Sequence, residues 1–514
     1  MTSSQIYMLI SIAVYLGGML YLGFRYSAKN NSANDFYIGG RRLGPVITAM
    51  SAEASDMSGW LLMGLPGVAY LSGLADAAWT AVGLAVGTYF NWLFVAKRIR
   101  RYTAVANDSI TLPDFFKNRY RDRSGLLMCI AAVMIIVFFI PYTASGFAAC
   151  GKLFSSLFGV DYTLAMLLSA LVIVGYTVLG GFLAASFTDF VQSIVMSVAL
   201  IVVLVFGVKS AGGVAAVVEN AKSLGGYLSM TQTHQAATGA AQGYGFLTIV
   251  STMAWGLGYC GMPHILVQFM AIKDANKLKL SRRIGSIWVV ISMAAAVLIG
   301  MVGLGMSKAG AIPLLEGTNS ENVIVRISDL ISTNGVAAAL LAGVILAGII
   351  AATMSTSDSQ LLSAASAVSE DLFRGIFKKE LSPKTTILIA RCTVLAMSVV
   401  AVFLARDPNS SVFKIVSFAW AGFGAAFGPA VLLALFWRRS NKWGALAGMT
   451  VGAAMIFVWK FALRPLGGAW DIYELLPAFL LSLAVNFAVS LMTKAPEKEI
   501  TDEFDFVKAG GGAQ

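Results

Sequence analysis

The sequence predicts an all-α integral membrane protein of about thirteen transmembrane helices, and three observations carry that expectation. The 514 residues are 58% hydrophobic and only 12% charged, too apolar for a soluble chain of this length. Long uncharged runs recur, each near the 20 or so residues that cross a bilayer core of roughly 30 Å. The Lys and Arg residues sit in short loops between those runs and favour one side, as the positive-inside rule requires.

The apolar runs lie near 6–25, 46–68, 74–97, 125–150, 160–180, 188–208, 245–270, 284–306, 322–366, 385–404, 411–437, 443–463 and 472–493. The ninth is too long for one span, so its first part is expected to be a separate short helix or a tilted lead-in. With the N-terminus outside, 28 of the 37 basic residues fall inside. They include Arg41 and Arg42, the cluster from Lys97 to Arg123, Lys29, and Arg374, Lys378 and Lys379. That asymmetry predicts an outer N-terminus and a cytoplasmic C-terminus. Residues 1–495 then form a single transmembrane domain: 1–45 a peripheral helix and loop, 46–208 and 245–437 two repeats, 443–493 peripheral helices. Residues 496–514 read as a solvated, partly disordered cytoplasmic tail, and 210–244 as an outer loop holding His234.

The net charge of +11 raises nucleic acid as a partner, but loops that obey the positive-inside rule account for it, and no nucleic-acid binding is expected. The four cysteines, Cys129, Cys150, Cys260 and Cys392, are scattered through apolar runs, so neither a disulfide nor a transition-metal site is expected. Two histidines, His234 and His264, are too few for a His-based metal centre. No cleavable signal peptide is expected, because no basic segment precedes the first apolar run. No catalytic triad, phosphate loop or soluble catalytic domain is evident, and the chain does not read as an enzyme.

The second run carries an acid, Asp56, in Ser55-Asp56-Met57-Ser58-Gly59-Trp60. A carboxylate at membrane depth is costly unless a cation or hydrogen-bond donors meet it, so it marks a functional site by default. The small polar residues around it suit a helix broken where its backbone faces a ligand. The seventh run carries Trp255-Gly256-Leu257-Gly258-Tyr259-Cys260-Gly261-Met262-Pro263-His264. Three glycines and a proline weaken a helix there, and a break at membrane depth is tolerated only where it lines a cavity or is covered by protein. The two breaks open five-span units, runs 2–6 and 7–11, which is the logic of a five-plus-five inverted repeat. Close helix packing would explain the glycines, but not the proline, the aromatic residues or the acid.

In the ninth run, Ala352, Ser355 and Thr356 stand at i, i+3 and i+4 and share one helical face. Ser and Thr in a span more often bond a neighbouring helix. Beside Asp56 and a broken helix, their oxygens suit a hard cation.

These landmarks resemble the sodium/solute symporter family, in its proline-transporting branch. The resemblance runs over nearly the whole chain. It rests on Gly39 through Pro45, Ser55 through Gly67, Gly180 through Ala184 with Thr188-Asp189, Trp255 through Leu266, and Ala419 through Pro429. It implies a LeuT-type fold with discontinuous helices and alternating access. It also implies a secondary symporter in the inner (plasma) membrane of a bacterium, coupling inward Na+ flow to L-proline uptake. Na+ is the coupling ion and no further cofactor is implied. The lipid bilayer is the surrounding medium, and no obligatory protein partner is evident.

The same resemblance implies a sodium site of backbone carbonyls from Ala54, Met57 and Ala352 and the hydroxyls of Ser355 and Thr356, with Asp56 supporting the ion electrostatically. For proline it implies Trp255, Tyr259 and Pro263 with Tyr142, completed by Ser58 and Gly59. The aromatic faces suit a pyrrolidine ring and its ammonium. Exposed N–H groups at a half-helix start suit a carboxylate.

Gln268, Met262 and Cys260 depart from the family pattern at the pocket edge, and Asp358 stands where relatives usually carry Ser. Some members of the family resemble a two-sodium pattern, and the resemblance then implies a candidate second cation site of Asp189, Asp358 and Ser359 beside Ser355, in which Asp358 either strengthens cation binding or carries a proton. Alternatives at this stage are a symporter for another small organic solute, proton coupling in place of sodium, and a sensor built on a transporter core.

Overall fold

The computed structural model describes residues 1–27, 33–373 and 382–512. Lys29, Arg374, Lys378 and Lys379, used above to orient the chain, lie outside the described residues. Among the described residues, ten helices are long and apolar enough to cross a membrane. Three further apolar helices are shorter, at Trp60–Ser72, Tyr162–Val178 and Phe246–Gly261. They coincide with the second, fifth and seventh predicted runs. Two of the three are short because a break divides them.

The helices that position the site are α1 (Ser3–Ser27), α2 (Pro45–Asp56), α3 (Leu65–Ser72), α4 (Leu74–Phe90), α5 (Leu126–Phe158), α6 (Tyr162–Leu179) and α7 (Phe182–Ser210). They are followed by α8 (Phe246–Met253), α9 (Pro263–Met270), α10 (Leu278–Lys308), α11 (Val323–Ser332), α12 (Val336–Ser366), α13 (Pro383–Leu404), α14 (Val412–Phe436), α15 (Lys442–Val458), α16 (Leu475–Met492) and α17 (Lys498–Lys508). The overlong ninth run resolves into α11 and α12, separated at Gly335 with φ +101, a backbone region open chiefly to glycine.

The first break falls where the chain leaves helical geometry at Met57 (φ −77, ψ 73). In a continuing helix the Ser58 N–H would donate to the Ala54 carbonyl. Instead it donates to Asp56 O at 2.9 Å, so the Ala54 carbonyl is left without its helical partner. The chain then re-enters helix through a wide turn, Trp60–Gly64. A Cβ on Gly59 would sit 2.9 Å from the Ala149 Cβ of α5, so the missing side chain lets the break press against that helix.

The second break is made differently. Ala254–Gly261 winds as a tight 3-10 segment, Met262 is extended (φ −81, ψ 107), and Pro263 opens α9 in its first turn. Proline is at ease there, where its missing N–H has no helical partner to lose. A Cβ on Gly258 would collide with the Trp420 indole, and one on Gly261 with the Phe423 backbone. Close packing thus accounts for those glycines, and the proline marks where the helix restarts.

α2 lies at the centre, packed against α7, α9, α10 and α12. The 3-10 segment lies between α4 and α14, α8 packs against α4, and α9 against α2. Polar segments cap the bundle. In the loop expected at 210–244, Gln232–His234 pairs antiparallel with Ala241–Gly243, a small exception to an all-α chain. Tyr227 of that loop donates to Ala69 O at 2.7 Å, fastening it over α3.

The tail corrects an expectation. The segment expected to be solvated and partly disordered holds a folded helix, α17, that docks on the bundle. Ile500, Phe504 and Val507, at i, i+4 and i+7, are buried on one face, and the Arg98 guanidinium lies 5.0 Å from the Phe504 ring centre. Arg121 pairs with Glu503 at 2.6 Å and Arg438 with Asp505 at 2.9 Å. An apolar stripe flanked by acids meets a basic ledge, and burial orders what composition alone assigns to solvent.

Candidate functional site

The orphaned Ala54 carbonyl is the seed of the site. Ser355 Oγ donates to it at 2.7 Å, and Thr356 Oγ1 lies 3.5 Å from the same oxygen. Ser355 Oγ is also 3.2 Å from Ala352 O. Four oxygens from α2 and α12 therefore converge across the first break, and all four residues are buried. Hydroxyls can turn their protons away and offer lone pairs, so this cluster can hold a hard monovalent cation. Met57 is buried beside it, and its carbonyl is not used by any bond that closes the break.

Asp56 is fully buried. Oδ2 accepts from the Tyr259 hydroxyl at 2.6 Å, while Oδ1 has no hydrogen-bond partner. Among the described residues no Lys or Arg pairs with it. Its backbone carbonyl accepts from Trp60 Nε1 at 3.0 Å and from the Tyr142 hydroxyl at 3.3 Å. Asp56 thus joins the two broken helices and α5 at one point, and a carboxylate there would complement a cation.

The second break supplies aromatic surface. The Trp255 ring lies 5.2 Å from Phe413, 5.2 Å from Tyr473, 6.2 Å from Trp420 and 6.3 Å from Trp60. Trp420 Nε1 donates to Trp255 O at 2.7 Å, and the Tyr259 ring meets Trp420 edge-on at 5.0 Å. Of the residues expected for the solute, Tyr142, Tyr259 and Trp255 are brought together around Asp56 and its neighbour Trp60. Ser58 Oγ accepts from Trp60 N at 3.4 Å. Gly59 is pressed against α5, and Pro263 starts α9 at the lower edge. Trp60, Phe413, Trp420 and Tyr473 were not singled out from sequence. Trp420 lies inside the glycine-rich 419–429 block, whereas nothing local marks Tyr473.

The family pattern described as "Sodium:solute symporter family" matches residues 36–452, most of the chain. The chain belongs to the sodium:solute symporter family. Among relatives, it is 43% identical over 494 residues to the osmoregulated proline transporter OpuE of Bacillus subtilis (strain 168), covering 96% of each chain. It is 42% identical over 503 residues to the sodium/proline symporter of Haemophilus influenzae, covering 97% of each. In structure it resembles a Na+-coupled sialic acid symporter, with TM-score 0.77 at 16% identity, covering 96% of this chain and 99% of the other. It also resembles Mhp1, a nucleobase-cation-symport-1 family transporter, with TM-score 0.51 at 15% identity and 92% and 98% coverage. The fold is of the LeuT type with discontinuous helices, and the protein is a multi-pass membrane transporter, not an enzyme.

Within this symporter, the candidate second cation site is only partly assembled. Asp189 Oδ2 accepts from Ser51 Oγ at 2.6 Å, tying α7 to α2. Asp358 Oδ1 accepts from Thr177 Oγ1, tying α12 to α6. Each carboxylate keeps one unpartnered oxygen. Ser359 is not among their partners and lines a separate small cavity against α9.

Two further acids of the symporter were missed from sequence. Glu53, one turn before Asp56, accepts from Trp92 Nε1 at 2.6 Å and Thr88 Oγ1 at 3.1 Å. An acid in an apolar run was its signal. At the far end of the bundle, Glu321 pairs with Lys152 at 2.7 Å, both nearly buried. Glu321 also accepts from Ser411 Oγ at 2.7 Å and from the Val412 N–H at 3.2 Å, capping α14.

Proposed function

We propose that this symporter couples inward Na+ flow to uptake of L-proline by alternating access. The observation that carries the reading is the joint at the first break. Ala54 O meets the α12 hydroxyls on one side of Asp56, while the Tyr259 hydroxyl and the aromatic cage lie on the other. Sodium held by the carbonyls of Ala54, Met57 and Ala352 and the hydroxyls of Ser355 and Thr356 would tie α2 to α12. That tie would stabilise the conformation in which the solute cavity is shaped, so ion and solute favour the same state. Proline would sit among Trp255, Tyr259, Tyr142 and Pro263, its ring on aromatic faces and its ammonium drawn to their π-surfaces. Ser58 and Gly59 would close the cavity. The names of relatives at about 40% identity support the solute and the ion. The excess of basic residues on one side supports an outer N-terminus and a cytoplasmic C-terminus in the plasma membrane. No protein partner is needed for this mechanism.

The test is radiolabelled proline uptake into proteoliposomes, with and without an inward sodium gradient, for wild type and Asp56→Asn. Sodium-driven accumulation that the substitution abolishes supports both solute and coupling site. Uptake that survives demotes Asp56 to a structural role, and no proline uptake under any cation overturns the substrate.

Asp189 and Asp358 each leave one buried oxygen unpaired and, among the described residues, pair with no Lys or Arg, which favours a second bound cation or a proton there. On that reading Asp358→Ser changes either the sodium-to-proline stoichiometry or the pH profile of uptake. Both unchanged would remove Asp358 from coupling.

A further inference from the structure

Beyond the ion cluster, α12 continues in hydroxyls. Ser355, Ser359, Ser363 and Ser366 are spaced by four, four and three residues, which keeps them on one helical face. Each four-residue step descends about 6 Å along the axis. Ser355 belongs to the cluster on Ala54 O. Ser359, Ser363 and Ser366 line a cavity of about 20 Å³ between α12 and α9, with Gln268, His264 and Tyr37 opposite.

The far wall of that cavity is poorly satisfied. Gln268 is 1% exposed and its Oε1 has no hydrogen-bond partner. The buried His264 ring has the Ser55 backbone as its polar neighbour, so Gln268 Oε1 is the unpaired acceptor of this wall. A buried amide oxygen left unpaired costs free energy, so a native fold keeps one where something binds it. The cavity is large enough for roughly one water or one small cation. No lining side chain is Lys or Arg, so nothing in it repels positive charge, and amide and hydroxyl oxygens are the ligands a hard cation takes.

We propose that this cavity is a relay station for the coupling sodium ion, one step beyond the main site on the side where the basic loops gather. Gln268 Oε1 and Ser359 Oγ take the ion as it leaves Ser355 and Thr356, and Ser363 and Ser366 continue the track. The inference rests on the symport reading above and adds a route by which the ion leaves separately from the solute. It gives Ser359 a role distinct from Asp189 and Asp358, in keeping with the direction its side chain takes.

The test uses full-length protein in proteoliposomes carrying Ser359→Ala, Gln268→Leu or both. Net sodium-driven proline uptake requires sodium to leave on the inner side. Proline exchange with saturating sodium on both sides does not. The double variant should slow net uptake about fivefold, the effect of roughly 1 kcal/mol on a release barrier. Exchange and the half-saturating external sodium should stay within about twofold of wild type, and preserved exchange shows that the variant is folded. A parallel fall in exchange, a shift in half-saturating sodium, or unchanged net uptake each overturns the station. Should the double variant fail to fold, Ser359→Ala alone, which removes one oxygen, must show the same split in smaller measure. If wild type shows neither uptake nor exchange of proline, the symport reading fails instead.

Discussion

The two broken helices meet at one aspartate, yet they are broken by different chemistry. In the first, hydrogen bonds are redirected: Ser58 donates to Asp56 O and frees the Ala54 carbonyl. In the second, shape decides: Gly258 and Gly261 admit Trp420 and the Phe423 backbone, and Pro263 restarts the helix. The first break therefore presents bare backbone oxygen, which suits an ion. The second presents aromatic faces, which suit a ring. Asp56, whose Oδ2 accepts from Tyr259 at 2.6 Å, belongs to both, and this is how the geometry can make two ligands depend on each other.

The substitution that breaks this comparison hardest is Asp56→Asn. It keeps a hydrogen-bond acceptor for Tyr259 and removes the charge, so sodium-driven uptake should fall by roughly 100-fold, the upper part of ordinary site-to-site coupling. Next is Gly258→Ala. Its new methyl meets the Trp420 indole and should destabilise the protein by about 1–3 kcal/mol through overpacking. A lower unfolding temperature and lost uptake are expected together, whereas a folded, active variant would mean that the second break is looser than its contacts indicate. The smallest effect belongs to the periphery. Arg438→Ala removes an exposed pair with Asp505 worth about 0.2–1 kcal/mol, and sodium and proline dependence should both stay at wild-type values.

The breaks were legible because their causes are local. An acid in an apolar run, three glycines before a proline, and an alanine followed by hydroxyls at i+3 and i+4 are all visible within ten residues. The Ser355 and Thr356 hydroxyls lie against Ala54 O; the spacing puts them on one face, and only the family resemblance names that carbonyl as their neighbour. What the sequence hid is long-range pairing. Nothing near Glu53 announces Trp92, nothing near Lys152 announces Glu321 at 2.7 Å, and Tyr473 reaches Trp255 from far along the chain. The family resemblance groups Ser359 with Asp358, but neighbours on a helix point about 100° apart, and here the two face different walls. The tail is a different lesson. The apolar stripe of Ile500, Phe504 and Val507 was readable, and composition alone obscured it.

The division of labour between the breaks is tested most directly by a crossed measurement in proteoliposomes: the half-saturating sodium and the half-saturating proline of Ser355→Ala and Trp255→Ala. Ser355→Ala removes a proposed ion ligand and should raise half-saturating sodium about tenfold, the effect of one lost charge-assisted contact. Trp255→Ala removes a cage wall and should raise half-saturating proline by a similar, roughly tenfold factor. Each should move the other constant by much less. If Ser355→Ala raises the proline constant while leaving sodium unchanged, or if Trp255→Ala does the reverse, the first break does not hold the ion and the account is wrong at its centre.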